Sequence, residues 1–182
     1  MITQRKFVQS SQNKPNLFII ALITLGYRAH KIFFYSNLTN LDGIILPGGE
    51  SSVQYDYCVD NLLDKKIYEF YKSKKPILGT CAGAILLSMH CSQRVKGFRL
   101  IDIDVQRNIY GQQIHSQLIK TDLGSEFLMI RAPGITKYSK KVKVLDTLNK
   151  NPIFVKQENV YCTTFHPELA SFNKDNLITK IF

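Results

Sequence analysis

The chain lacks tryptophan and is short of acid, with 14 aspartates and glutamates against 24 lysines and arginines, a formal net charge of +10. Such an excess first suggests a nucleic-acid partner. The lysines, however, fall in short clusters between apolar runs, at Lys65-Lys66, Lys72-Ser73-Lys74-Lys75 and Lys137-Tyr138-Ser139-Lys140-Lys141. No long basic tract, aromatic stacking motif or glycine-rich RNA-binding signature accompanies them. They read as solvated helix ends and loops, and no nucleic-acid partner is expected. The charge is still suited to meeting an acidic protein.

Long hydrophobic runs are missing too: nothing approaches the roughly 18 apolar residues of a membrane-spanning helix. Met1 to Asn16 is polar, without the apolar centre of a secretory signal. A cytoplasmic protein with no membrane association is expected. The four cysteines, Cys58, Cys81, Cys91 and Cys162, contain no CxxC pair and no regular spacing. A disulfide framework is therefore not expected, and one reactive thiol among buried ones is. Zinc needs about four convergent ligands; His90 and Cys91 are adjacent and the other candidates isolated, so no metal is expected.

What is present suffices for one core. The 182 residues are 45% hydrophobic and 11% aromatic, and show no repeat, linker or composition break. A single domain over residues 1–182 is expected. Short β-type and helical runs alternate. Leu17 to Leu25 reads as a helix stopped by Gly26, Ala29 to Tyr35 as a strand, and Asp42 to Leu46 as a buried strand ending in Pro47-Gly48-Gly49. Leu62 to Tyr71 has helical spacing, Pro76 to Gly79 is a short buried strand, and Gly83 to Met89 resumes as helix. The second half is richer in strands: Phe98 to Val105, Gln113 to Ile119, Glu126 to Ile130, Val142 to Thr147, Ile153 to Lys156 and Val160 to Phe165. Leu177 to Phe182 closes as a short helix. The pattern predicts an α/β fold, an open and mainly parallel sheet with helices on both faces and additional β structure in the second half.

Three segments carry chemistry. Gly79-Thr80-Cys81-Ala82-Gly83, between a strand and a helix, has the form of a nucleophile elbow with cysteine as the nucleophile. Its glycines relieve crowding in the turn, and a helix start favours the thiolate at Cys81. Phe165-His166-Pro167-Glu168-Leu169 offers a base and, two residues on, a carboxylate able to orient it. Leu46-Pro47-Gly48-Gly49-Glu50-Ser51 is a glycine turn whose backbone N–H groups are free for an oxyanion. Each alone is also compatible with an ordinary turn or a buried cysteine; together they are informative.

The three together resemble class I glutamine amidotransferases. With Val105-Gln106-Arg107-Asn108 and Ile130-Arg131-Ala132-Pro133 they are more similar to the glutaminase subunits of pyridoxal 5'-phosphate synthase. The resemblance runs from about Ala21 to Leu169. It implies a triad of Cys81, His166 and Glu168, and glutamine-binding positions at Gly49, Glu50, Ser51, Arg107, Ile130 and Arg131. It further implies an oxyanion hole from backbone N–H groups near Gly49 and of Ala82. L-glutamine is the implied substrate, with ammonia passing to a separate synthase subunit and no cofactor held here. A degenerate subunit that docks without supplying ammonia is the alternative.

The chain departs from that family chiefly at its start. An apolar strand ending in Leu-Gln-Gly is replaced by the polar Phe7-Val8-Gln9-Ser10-Ser11-Gln12-Asn13. Smaller departures are Ser51-Ser52-Val53, Gly111-Gln112-Gln113 and His115-Ser116.

Overall fold

The structure, a computed structural model, describes residues 6–9, 28–31, 38, 40–92, 95–109, 117–169 and 177–182. The helix expected over residues 17–25, the end of the strand expected to 35, residues 10–13 of the polar opening segment and the departures at residues 111–113, 115 and 116 lie outside the described residues.

Buried β-branched and leucine-rich runs make the centre of the sheet. Strands β3 (Gly43–Leu46) and β4 (Ile77–Thr80) are buried along their whole length, as expected of strands covered on both faces. Beside β3 lie β1 (Lys6–Gln9) and then β2 (Arg28–Lys31). Beyond β4 come β12 (Val160–Thr163), β11 (Asn151–Gln157) and β10 (Lys143–Leu148). The order is β10-β11-β12-β4-β3-β1-β2. Pairing is parallel from β2 through to β12 and antiparallel at β11 and β10. The polar β1 is thus an inner strand, pairing on both sides.

Period-two alternation sends neighbouring side chains to opposite faces. Ile44, Leu46 and Ile77 face α1 (Ser51–Asp60), α2 (Leu63–Lys72) and α3 (Ala82–Leu87), packing with Cys58, Ile67, Phe70 and Ile85. Ile45 and Leu78 face the other way, into a cluster with Ile178 of α4 (Leu177–Ile181) and Phe182. Helices therefore cover both faces, as the alternation predicted. The additional β structure is a three-stranded sheet of β5 (Ser88–Cys91), β6 (Ile101–Gln106) and β9 (Gly134–Tyr138), with a hairpin of β7 (Gln117–Lys120) and β8 (Glu126–Met129). The hairpin is held by Phe127, whose ring stacks 4.0 Å from that of Phe165.

Several elements differ from expectation, among them β9, a strand that was not anticipated. The segment Gly83 to Met89 is not one helix: α3 ends at Leu87, and Ser88–Cys91 pairs in parallel with β6. Leucine and methionine favour helix locally, but a distant strand supplies the partner that overrides them. Helix α1 was not anticipated because its buried positions are Ser51, Gln54 and Cys58, a helical stripe with little hydrophobicity to announce it. The last inner strand stops at Thr163, where the Thr163 hydroxyl donates to Phe165 O at 3.0 Å and turns the chain.

The crossing of α3 over β3 is the tightest contact of this core. A Cβ placed on Gly83 would lie 1.9 Å from the Leu46 carbonyl oxygen, and one on Gly79 2.6 Å from Gly83 O. Both obstacles are backbone and have nowhere to go. Gly83→Ala is expected to cost at least ~1–3 kcal/mol by overpacking, whereas Ser52→Ala on the exposed side of α1 should stay within about 0.5 kcal/mol of wild type. Urea unfolding of the two variants measures the contrast; equal midpoints would contradict the packing described.

Candidate active site

Because β3, β4 and β12 are adjacent and parallel, the segments leaving their C-terminal ends emerge side by side. Leu46 is level with Gly79, and Thr80 with Thr163. Pro47 to Ser51, Cys81-Ala82 and Thr164 to Glu168 therefore meet at one edge of the sheet, where open α/β sheets place their ligands.

Cys81 has φ 50° and ψ −107°, a left-handed conformation that costs a non-glycine residue of order 1–3 kcal/mol. Its N–H donates to Thr163 O at 2.9 Å, tying the turn to the neighbouring strand. The side chain is 9% exposed. Since α3 is only six residues long, its dipole is a minor aid to a thiolate. The nearer source of positive charge is His166.

His166 is fixed by its backbone. Its N–H donates to Leu128 O at 3.1 Å, and its carbonyl accepts from the Leu169 N–H at 3.1 Å, closing a 3-10 turn over Pro167–Leu169. That turn carries Glu168 back under the ring, where Oε1 lies 2.7 Å from His166 Nδ1. Nε2 is left available to Cys81. Gly48 makes room for the imidazole: a Cβ there would sit 2.5 Å from His166 Cε1. Burial by itself lowers the pKa of this imidazole. Hydrogen bonds to Cys81 and to Glu168, and their negative charge, outweigh it and raise the pKa from 6.5 to about 10. The arrangement thus favours the imidazolium form of His166 beside Glu168.

All six positions expected to bind glutamine, Gly49, Glu50, Ser51, Arg107, Ile130 and Arg131, line one cleft of about 190 Å³ together with Cys81, Ala82 and His166. Glu168 stands behind His166, 6% exposed. Arg107 donates to both Glu50 carboxylate oxygens, at 3.1 and 3.3 Å. So exposed a pair holds weakly, and an incoming carboxylate can displace Glu50 from the arginine. The Ser51 hydroxyl is buried with no hydrogen-bond partner among the described residues, a vacancy a polar ligand would fill. Asn108 and Arg131, at φ 52° and 44°, add to the backbone strain at the rim.

Sequence reading did not single out Ile85, which also lines the cleft, or Gln54, which lies under the glycine turn and donates to Gly48 O at 3.1 Å. Helical spacing carries the signal for Gln54: three residues beyond Ser51, it faces the same way. Among the described residues no group of three or more His, Cys, Asp or Glu is arranged to hold a metal, and no helix is long and apolar enough to cross a membrane.

A strained cysteine elbow, a buried histidine–carboxylate pair and a polar cleft thus lie together on a doubly covered, mainly parallel sheet. A solved glutamine amidotransferase superposes with a TM-score of 0.87 at 27% identity, over 97% of this chain and 96% of that one. A second, from Thermotoga maritima, shares the fold at a TM-score of 0.65 and 12% identity, over 91% and 76% of the two chains. The chain belongs to the SNO glutamine amidotransferase family, whose model matches residues 18–182. Similar curated proteins are the pyridoxal 5'-phosphate synthase subunits PdxT of Caldicellulosiruptor bescii, 37% identical over 82% of each chain, and of Thermotoga maritima, 34% identical over 82% of this chain and 84% of the relative. That of Caldicellulosiruptor saccharolyticus is 41% identical over 75% and 76%.

The origin of the raised His166 pKa makes a sign-specific prediction. A raised folded pKa contributes stability that is complete below about pH 6.5 and is lost as pH rises through about 10. Cys81→Ala with Glu168→Gln removes both raising charges and leaves burial alone. In that double variant His166 should titrate below 6.5, and the alkaline loss of stability should shrink. NMR titration of the imidazole, alongside unfolding at stepped pH, measures both; a double variant still titrating near the wild-type value would refute the assignment.

Proposed function

We propose that this chain is the glutaminase subunit of a pyridoxal 5'-phosphate synthase, with Cys81, His166 and Glu168 as its catalytic residues. The observation that carries the chemistry is the 2.7 Å contact of Glu168 Oε1 with His166 Nδ1, in a ring that lines the same cleft as Cys81. The Cys81 thiolate attacks the side-chain carboxamide carbon of L-glutamine, forming a C–S bond as the carbonyl π electrons move to oxygen. Backbone N–H groups of Gly49 and Ala82 receive that oxyanion. His166 gives its proton to the departing nitrogen, the C–N bond breaks, and ammonia leaves a γ-glutamyl thioester. Water, deprotonated by His166, then attacks the thioester carbon, the C–S bond breaks, and release of glutamate restores the thiolate–imidazolium pair. Glu168 keeps the ring oriented and its positive charge balanced throughout. Arg107, Arg131, Glu50, Ser51 and Ile130 hold the amino-acid end of the substrate in the cleft.

Delivery of ammonia to a separate synthase subunit is supported by the names of the relatives, each a pyridoxal 5'-phosphate synthase subunit. We place the reaction in the cytoplasm, whose reducing conditions keep a cysteine nucleophile such as Cys81 from disulfide formation. A docking module without chemistry would have no use for the strained elbow and its buried base.

The experiment is ammonia release from glutamine, with and without a synthase subunit. Cys81→Ala should abolish it, Cys91→Ser should leave most of it, and His166→Ala should lower it by ~10²–10⁴-fold. Iodoacetamide should label Cys81 before Cys58 and Cys162, which are 1% and 0% exposed. Undiminished turnover in Cys81→Ala would end this reading.

A further inference from the structure

The glycine turn contains a peptide with no side chain on either flank. Gly48 and Gly49 are consecutive, so the peptide between them rotates at little steric cost. Its N–H is the one assigned above to the oxyanion, and only one orientation of the peptide presents it. The structure contains a side chain positioned to choose. Gln54, in α1 and 7% exposed, donates from Nε2 to Gly48 O at 3.1 Å and to Pro47 O at 3.4 Å. In a trans peptide the C=O and the following N–H point to opposite sides, and no described peptide is cis. Holding Gly48 O towards Gln54 therefore turns the Gly49 N–H away from α1. Among the described residues nothing accepts a hydrogen bond from that N–H, while Gly49 itself lines the cleft and Gln54 does not. The backbone demands glycine at this position, with φ 141°, and Gln54 Nε2 would lie 2.7 Å from a Cβ placed there.

We propose that Gln54 is a positioning residue that latches the Gly48–Gly49 peptide with its N–H towards the cleft, preorganising half of the oxyanion hole before glutamine arrives. Gln54 touches no reacting atom; it acts through the peptide. This rests on the glutaminase reading above. A donor missing from an oxyanion hole costs ~10²–10³-fold in kcat. Losing the latch only lets the peptide spend time turned the wrong way, so the expected loss is smaller, about tenfold, the scale of one hydrogen bond.

The test uses Gln54→Met, of similar length without a donor, and Gln54→Glu, of the same shape with an oxygen in place of the NH₂. Both should lower kcat for glutamine hydrolysis about tenfold with KM within about twofold. Both should also weaken binding of glutamate γ-semialdehyde, whose adduct with Cys81 carries the tetrahedral oxygen. Alkylation of Cys81 by iodoacetamide, which makes no oxyanion, should keep its wild-type rate and pH profile. Unchanged or increased kcat in both variants overturns the latch, as does alkylation that falls in step with kcat, which would mark a damaged elbow instead. Absence of ammonia release from the wild type would sink the glutaminase reading itself, and is seen before any Gln54 variant is made.

Discussion

The hydrogen bond from the Cys81 N–H to Thr163 O, 2.9 Å long, is the joint from which the site hangs. It extends the parallel pairing of β4 with β12 one residue past Thr80, so the strand's pull and the start of α3 meet at Cys81. Left-handed backbone is the geometric result. The turn is then closed by the absence of side chains at Gly79 and Gly83, which brings α3 down onto the Leu46 carbonyl. The same bond sets His166 in place, because His166 is three residues beyond Thr163 and its position is completed by Leu128 on the other side. Nucleophile and base are thus spaced by one ladder of backbone bonds rather than by flexible side chains.

Such a turn persists only where its surroundings over-determine it. Two apolar clusters do so here. Leu46, Ala84 and Ile85 anchor the elbow side, and Phe165, Phe127 and Met129 anchor the histidine side. Between them His166 lies against Glu168, so that a protonated ring has an acidic neighbour despite its poor solvation. Charged groups lining the cleft are treated differently. Glu50 and Arg107 pair with each other near solvent, where exchange for a ligand costs little.

Much of this was legible in the residues. Gly-x-Cys-x-Gly after a buried strand, His-Pro-Glu after another and Pro-Gly-Gly after a third each announce their own local geometry. Spacing of two residues is enough to let Glu168 turn back on His166. The sheet's parallel half was legible as well, in buried runs such as Gly43–Leu46 and Ile77–Thr80. What escaped were elements whose stability is not local. Helix α1 buries serine, glutamine and cysteine instead of a hydrophobic stripe, and β5 exists because β6 is there to pair with it. Gln54 escaped for the same reason, since its partners are the carbonyls of a turn six and seven residues away.

The sequence by itself determined which groups are available, a cysteine in a glycine-flanked turn, a histidine with its carboxylate and a turn rich in free amides, because those depend on covalent spacing and on what glycine and proline allow. Only the tertiary structure decided that these lie at one cleft. Residues 48, 81 and 166 are far apart along the chain, and they meet because β3, β4 and β12 pair side by side in parallel and in register. That pairing is a property of strand order, which no local run of residues encodes. The upward shift of the His166 pKa arises there too, since Cys81 and Glu168 act on the ring, against its burial, only once the fold has brought them together.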